Sequence, residues 1–153
     1  MENNNVFLAV KAAIVAFAGA FSAAFGWLGW LIVAWVICMV VDYISGSAAA
    51  MQAGEWSSAA ARAGIWHKGG MLLVVVAAAL TDGVLGIVAD KIPSLPVEYT
   101  VLVLPVVLVW YILTELGSIL ENSAAMGAPV PEFLTKLLAA AKDKVEDTAD
   151  KTE

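Results

Sequence analysis

The chain has 153 residues, of which 61% are hydrophobic and only 14% charged, with a formal net charge of -6. Soluble domains average about half apolar and about a quarter charged, so this composition, with a mean hydropathy of +0.86, excludes an ordinary water-soluble globule. The acidic balance argues against nucleic acid as a partner, since binding it needs clustered Lys and Arg to displace counterions. One cysteine and one histidine leave no intrachain disulfide and too few ligands for a thiol-rich metal site or a haem.

Residues 132–153 hold ten of the 22 charges. The organisation expected is an all-α integral membrane protein: a transmembrane helical domain over residues 1–131, then an amphipathic to polar cytoplasmic tail over 132–153. The start of the chain carries Glu2 and no base ahead of the apolar stretch, unlike a signal peptide, and reads as a mature helix.

Residues 12–41 carry no charged side chain, thirty positions in a row. As one helix they would run about 45 Å, against a hydrocarbon core of about 30 Å. Two readings follow: a tight hairpin of spans over residues 6–25 and 27–44, turning at Gly26 and Gly29, or one long tilted helix. On the first helix Ala12, Ala16, Gly19, Ala20 and Ala23 form a small-residue face beside a row of Phe17, Phe21 and Phe25. Small residues let helix backbones approach closely in lipid, so this face is a candidate for packing or self-association. Trp27 and Trp30 suit a membrane interface.

Residues 46–70 read as a loop containing a short amphipathic helix at the cytoplasmic membrane surface, over residues 55–68, with Glu55-Trp-Ser-Ser58 as its start. A third span is expected over residues 69–89. The sequence Lys91-Ile-Pro-Ser-Leu-Pro96 is turn chemistry, and a fourth span is expected over residues 97–120, with Pro105 inside it as a kink. In the tail, Pro131 suits a helix start. Phe133, Leu134, Leu137, Leu138, Ala141 and Val145 share a helical face, and residues 143–153 are expected to fray.

Bases orient the bundle. Arg62 and Lys68 precede the third span and Lys136, Lys142, Lys144 and Lys151 lie in the tail, whereas Lys91 stands alone on the opposite side. The positive-inside rule then places both termini and the central loop of a multi-pass protein in the cytoplasm.

Ionisable groups at membrane depth are costly and mark candidate sites. Asp42 closes the second span, Glu115 lies near the inner end of the fourth and Glu121 at that end. A cluster of Asp42 and Glu115 with Lys68 or Arg62 is expected near the cytoplasmic face. Asp82 falls roughly 20 Å from that face at 1.5 Å per residue, either protonated, facing water, or marking a helix break at Thr81-Asp82-Gly83. No phosphate loop, catalytic Ser/His/Asp order or metal spacing is present. The chain is therefore expected to be no enzyme, with no catalytic, cofactor-binding or metal-binding residues. Pore-former, transporter and scaffold remain.

The succession Asp42-Tyr-Ile-Ser-Gly46, Ser57-Ser58 leading to Gly64-Ile-Trp-His-Lys68, Glu115-Leu-Gly-Ser-Ile-Leu-Glu-Asn122 and Met126-Gly-Ala-Pro-Val-Pro131 resembles the phage holin family shared with toxin-secretion holins. The resemblance covers about residues 26–138. It implies a small membrane protein that assembles with copies of itself in the bilayer. Such proteins open timed lesions that release an endolysin for host lysis, or a toxin, without substrate or cofactor. Holin tails are often strongly basic, whereas residues 132–153 are mixed and slightly acidic. A small channel or transporter and a non-conducting scaffold are the competing expectations.

Overall fold

A segment that leaves water must close its backbone hydrogen bonds within itself, and a chain this apolar does so by forming helices. The computed structural model describes residues 2–92 and 103–150, and every regular element among them is an α-helix. These are α1 (Glu2–Ala53), α2 (Ser58–Lys91), α3 (Val103–Ala125) and α4 (Glu132–Asp150). The first three are each long and apolar enough to cross a bilayer, so the protein is an all-α membrane protein. By contacts it divides into two compact units, Met1–Val33 and Ala34–Glu153.

Within the first unit, α1 breaks at Gly26, whose backbone takes φ 58° and ψ -154°. That left-handed conformation is open to glycine at little cost. The chain bends sharply there: the Trp30 indole N–H donates to Ser22 Oγ at 2.7 Å, and the Phe21 and Trp30 rings sit 5.1 Å apart, edge to face. Residues eight apart in a straight helix would be about 12 Å apart. A side chain at Gly29 would place its Cβ 2.5 Å from Phe25 Cβ, so the bend depends on glycine at both positions.

In the second unit the connections that follow α1 and α3 close by the same device. At the end of α1, Gly54 (φ 73°) donates to Met51 O at 3.1 Å and Glu55 to Ala50 O at 2.9 Å. After α3, Gly127 (φ 90°) donates to Ala124 O at 2.9 Å and Ala128 to Ser123 O at 3.0 Å. Both are Schellman closures, which satisfy the last carbonyls of a helix. Ser57 caps α2 by accepting from the Ala60 N–H at 3.1 Å, as the sequence anticipates.

Several boundaries differ from those expected. The second helical stretch continues past residue 44 to Ala53, because Gly46 sits in the helix interior rather than ending it. Residues 58–68 are helical but form the first turns of α2, with no separate surface helix: Gly69 and Gly70 do not break it. The loop expected over residues 46–70 shrinks to the few residues around Gly54. The tail helix holds through its polar half to Asp150, because it packs on α3. The turn at residues 93–96 and the first part of the expected fourth span, residues 97–102, lie outside the described residues. With α3 beginning at Val103, Pro105 stands in the first turn, where a missing N–H removes no intrahelical bond. It is not a mid-helix kink.

The buried core is small: Trp35, Met71, Val75, Ala78, Leu104 and Leu108. Trp35 is 1% exposed and stacks on Tyr111 with ring centroids 6.1 Å apart, yet its indole Nε1 has no hydrogen-bond partner. An unmet buried donor costs on the order of 1–3 kcal/mol. Trp35→Phe keeps a ring against Tyr111 and deletes that donor. Thermal unfolding in detergent should therefore show it close to neutral, while Trp35→Ala loses about 3 kcal/mol or more through the cavity. A loss for Trp35→Phe as large as for Trp35→Ala would contradict this.

Candidate functional site

The site is built on two facing seams. Along α2, Gly64, Lys68, Met71, Val75, Ala78 and Asp82 recur in steps of four and three residues. On α3, Leu104, Leu108, Tyr111, Glu115, Ser118 and Asn122 do the same. This is the spacing that keeps one stripe of a helix against a partner. On α2 the buried apolar Met71, Val75 and Ala78 lie between Lys68 and Asp82; on α3 the buried apolar Leu104 and Leu108 come first and the stripe turns polar toward Glu115, Ser118 and Asn122.

At one end Lys68 Nζ lies 2.8 Å from Asp42 Oδ2 and 2.5 Å from Glu115 Oε2. One ammonium thus bridges carboxylates from α1 and α3. Glu115 is only 3% exposed, the one buried charged residue among those described. Asn122 completes the group. Its amide donates to Asp42 Oδ1 at 3.0 Å and to Ser45 Oγ at 3.1 Å, while Ser45 Oγ donates to the Asp42 carbonyl at 3.1 Å. A Cβ on Gly46 would approach Asn122 Nδ2 to 3.3 Å, so the glycine gives that side chain its space. Beside the cluster opens a cleft of about 340 Å³, lined by Trp56, Ser57, Gly64, His67 and Glu121 among others.

At the other end Asp82 accepts from the backbone N–H groups of Val103, at 2.7 Å, and Leu104, at 2.9 Å. Pro105 brings no donor. The carboxylate therefore satisfies the first two N–H groups of α3, where the helix dipole also favours negative charge. The sequence suggested a helix break at Asp82; α2 runs through it unbroken.

Of the residues singled out from sequence, Asp42, Lys68 and Glu115 come together. Arg62 lies on the exposed side of α2 outside the cluster, and Glu121 is exposed at its edge. Asp82 forms a separate contact. Ala12, Ala16, Gly19, Ala20 and Ala23 are all exposed. Sequence reasoning missed Asn122 and Ser45 as partners of Asp42, although both lie within the motifs quoted above. The cluster ties α1, α2 and α3 together through one ammonium and two carboxylates.

Two predictions follow from these distances. Lys68→Met should leave two unneutralised carboxylates at the α1–α3 contact and destabilise the detergent-solubilised protein by about 3–5 kcal/mol. The triple change Asp42→Asn/Lys68→Met/Glu115→Gln should recover most of that loss in chemical denaturation; no recovery would mean the cluster is not electrostatically coupled. Asp82→Ala should orphan two N–H groups and cost on the order of 1–2 kcal/mol. Amide exchange should rise at Val103 and Leu104 but not at residues 115–122.

The bacteriophage holin family matches the chain over residues 19–143, a stretch that includes the whole cluster. An uncharacterised protein of Listeria innocua is 33% identical over 142 residues, covering 93% of each chain. One of Clostridium perfringens is 30% identical over 139 residues, covering 91% of this chain and 95% of the relative. A second Clostridium perfringens protein, of 14.9 kDa and from the 3′ region of nagH, is 28% identical over 140 residues, covering 92% and 98%. No solved structure matches. With its apolar helices and this match, the chain is a membrane protein of the bacteriophage holin family.

Proposed function

We propose that the protein acts as a holin in the full sense: it accumulates in the bacterial cytoplasmic membrane, assembles with copies of itself, and opens timed lesions through which an endolysin reaches the cell wall. The observation that carries this reading is the family match across all three helices of membrane-spanning length. No substrate or cofactor enters the mechanism, and the partners are other copies of the chain, the lipid bilayer and the endolysin. Both termini face the cytoplasm, consistent with the bases Arg62 and Lys68 near the start of α2 and the lone Lys91 at its far end. Residues 6–25, crossing the bilayer, return the N-terminus to the cytoplasmic side, and the bend at Gly26 makes them a separate element from the helix after it.

The polar cluster supplies the means of timing. Closed within one chain, Asp42, Lys68 and Glu115 satisfy one another and let their helices reside in lipid. Partners of the same kind in a neighbouring chain offer an alternative pairing. Assembly is then a concentration-dependent shift between two populations. The exposed stripe of Ala12, Ala16, Gly19, Ala20 and Ala23 gives the close-approach surface for self-association.

Inducible expression in a bacterium carrying a cytoplasmic endolysin tests the reading. Membrane potential and culture density should fall together, abruptly and after a delay, and clearing should require the endolysin. Loss of potential without endolysin release would favour a small channel, export of another protein without clearing would favour a secretion pore, and no effect would favour a scaffold. In the same assay Glu115→Gln should change the lysis time, and unchanged timing would remove the cluster from the mechanism. Ala16→Leu with Ala20→Leu should weaken cross-linked oligomers; an unaltered ladder would remove that face.

A further inference from the structure

Helix α4 is the most polar element of the chain, yet it is folded back along the span α3. Leu134, Leu138, Ala141 and Val145 form its half-buried face. It runs antiparallel to α3: Thr135, Leu138 and Lys142 share a groove with Glu121, Ser118 and Thr114. Further along, Glu146 Oε1 accepts from the Trp110 indole at 2.7 Å, and Lys142 Nζ lies 4.2 Å from the centre of the Trp110 ring.

The depth of Trp110 makes this arrangement informative. It stands twelve residues from Asn122 along α3, about 18 Å at 1.5 Å per residue, whereas half a hydrocarbon core is about 15 Å. Even with the cytoplasmic face of the bilayer set at Glu115, Trp110 lies five residues, about 7.5 Å, below it. Glu132, Lys136, Asp143 and Asp147 fall together on the helix at 100° per residue, opposite the face packed on α3, and all are exposed. Glu132 and Lys136 lie near the inner end of α3 and pair with each other at 2.9 Å. Asp143 and Asp147 lie toward the depth of Trp110, where charges are tolerated only against partners or water. A spanning α3 and a docked α4 coexist only where the outer face of α4 meets water within the thickness of the membrane.

We propose that α4 is part of the lesion itself: docked on α3, it lines the aqueous path with its charged face. This rests on the holin reading, since that reading supplies water at bilayer depth. It also gives a role to a tail whose mixed charge departs from the basic tails of many holins: three acids and one base make the outer face a hydrated, net acidic wall.

The test uses the full chain in a Cys38→Ser background, since Cys38 is the only native thiol. Trp110→Cys with Glu146→Cys, and separately Ser118→Cys with Leu138→Cys, are oxidised in cells before lysis; a protease site in the turn after α3 reports the cross-link on non-reducing gels. Both pairs should lock while lysis still proceeds. A lock that blocks lysis until reduced would overturn the proposal, because α4 would then have to leave α3. Failure of both pairs to cross-link, before and after lysis, would overturn it equally. The single-cysteine variants control for folding. In planar bilayers, a charged methanethiosulfonate added to Asp147→Cys should cause a stepwise loss of conductance. Complete labelling, verified by mass, with unchanged conductance would overturn the lining role. Absence of any lesion from the unmodified protein would instead sink the holin reading on which the proposal rests.

Discussion

In lipid, apolar side chains gain nothing by leaving their surroundings, so the hydrophobic effect that fixes helix register in water is missing. The stripe Met71, Val75 and Ala78 would pack almost as well against Leu104 and Leu108 one step higher or lower. The polar ends of the seam decide. Lys68 and Asp82 are fourteen residues apart on α2, about 21 Å. Lys68 meets Glu115 and Asp82 meets the first N–H groups of α3. Shifting either helix breaks both contacts at once and leaves charge or open backbone in a medium of low dielectric. Two clamps at opposite ends of an otherwise permissive interface specify one alignment, as a single polar residue does in a coiled coil.

The same reasoning explains what could be read from the sequence. Asp42, Lys68 and Glu115 interrupt long apolar stretches, and a charge there must find a partner, so their convergence was legible before any coordinates. The buried faces were not. Where nearly every position is apolar, hydropathy cannot separate buried Met71 and Val75 from exposed Leu72, Leu73 and Val76. Helix limits failed for a related reason. Gly46, Gly69 and Gly70 resemble breaks by composition, but each sits inside a helix that continues on both sides. Asp82 resembled a break or a proton site because its partner, the start of α3, lies more than twenty residues away and carries no side-chain signal.

The bend at Gly26 belongs to a different class of constraint, one of sterics rather than charge. Gly26 provides a backbone conformation and Gly29 the absence of a Cβ, and the aromatic cluster of Phe21, Phe25 and Trp30 fills the inside of the turn. The members of the ion-pair cluster all lie in the other unit, beyond residue 33. A substitution that straightens the bend and one that opens the cluster therefore act in separate compact units, and their effects on stability should be close to additive.

Polar groups at bilayer depth have two acceptable fates, a partner in protein or contact with water. Asp42, Lys68, Glu115 and Asp82 take the first within a single chain, which makes them compatible with a monomer in lipid. On the outer face of α4, Glu132 and Lys136 pair with each other at 2.9 Å, while Asp143 and Asp147 are exposed. The chain thus carries one set of polar groups suited to the inserted monomer and another suited to a water-filled assembly. In the proposed role, harmless at low density and permeabilising at high density, the two sets oppose one another: the free energy released by hydrating the second is what assembly would offer against the pairing of the first.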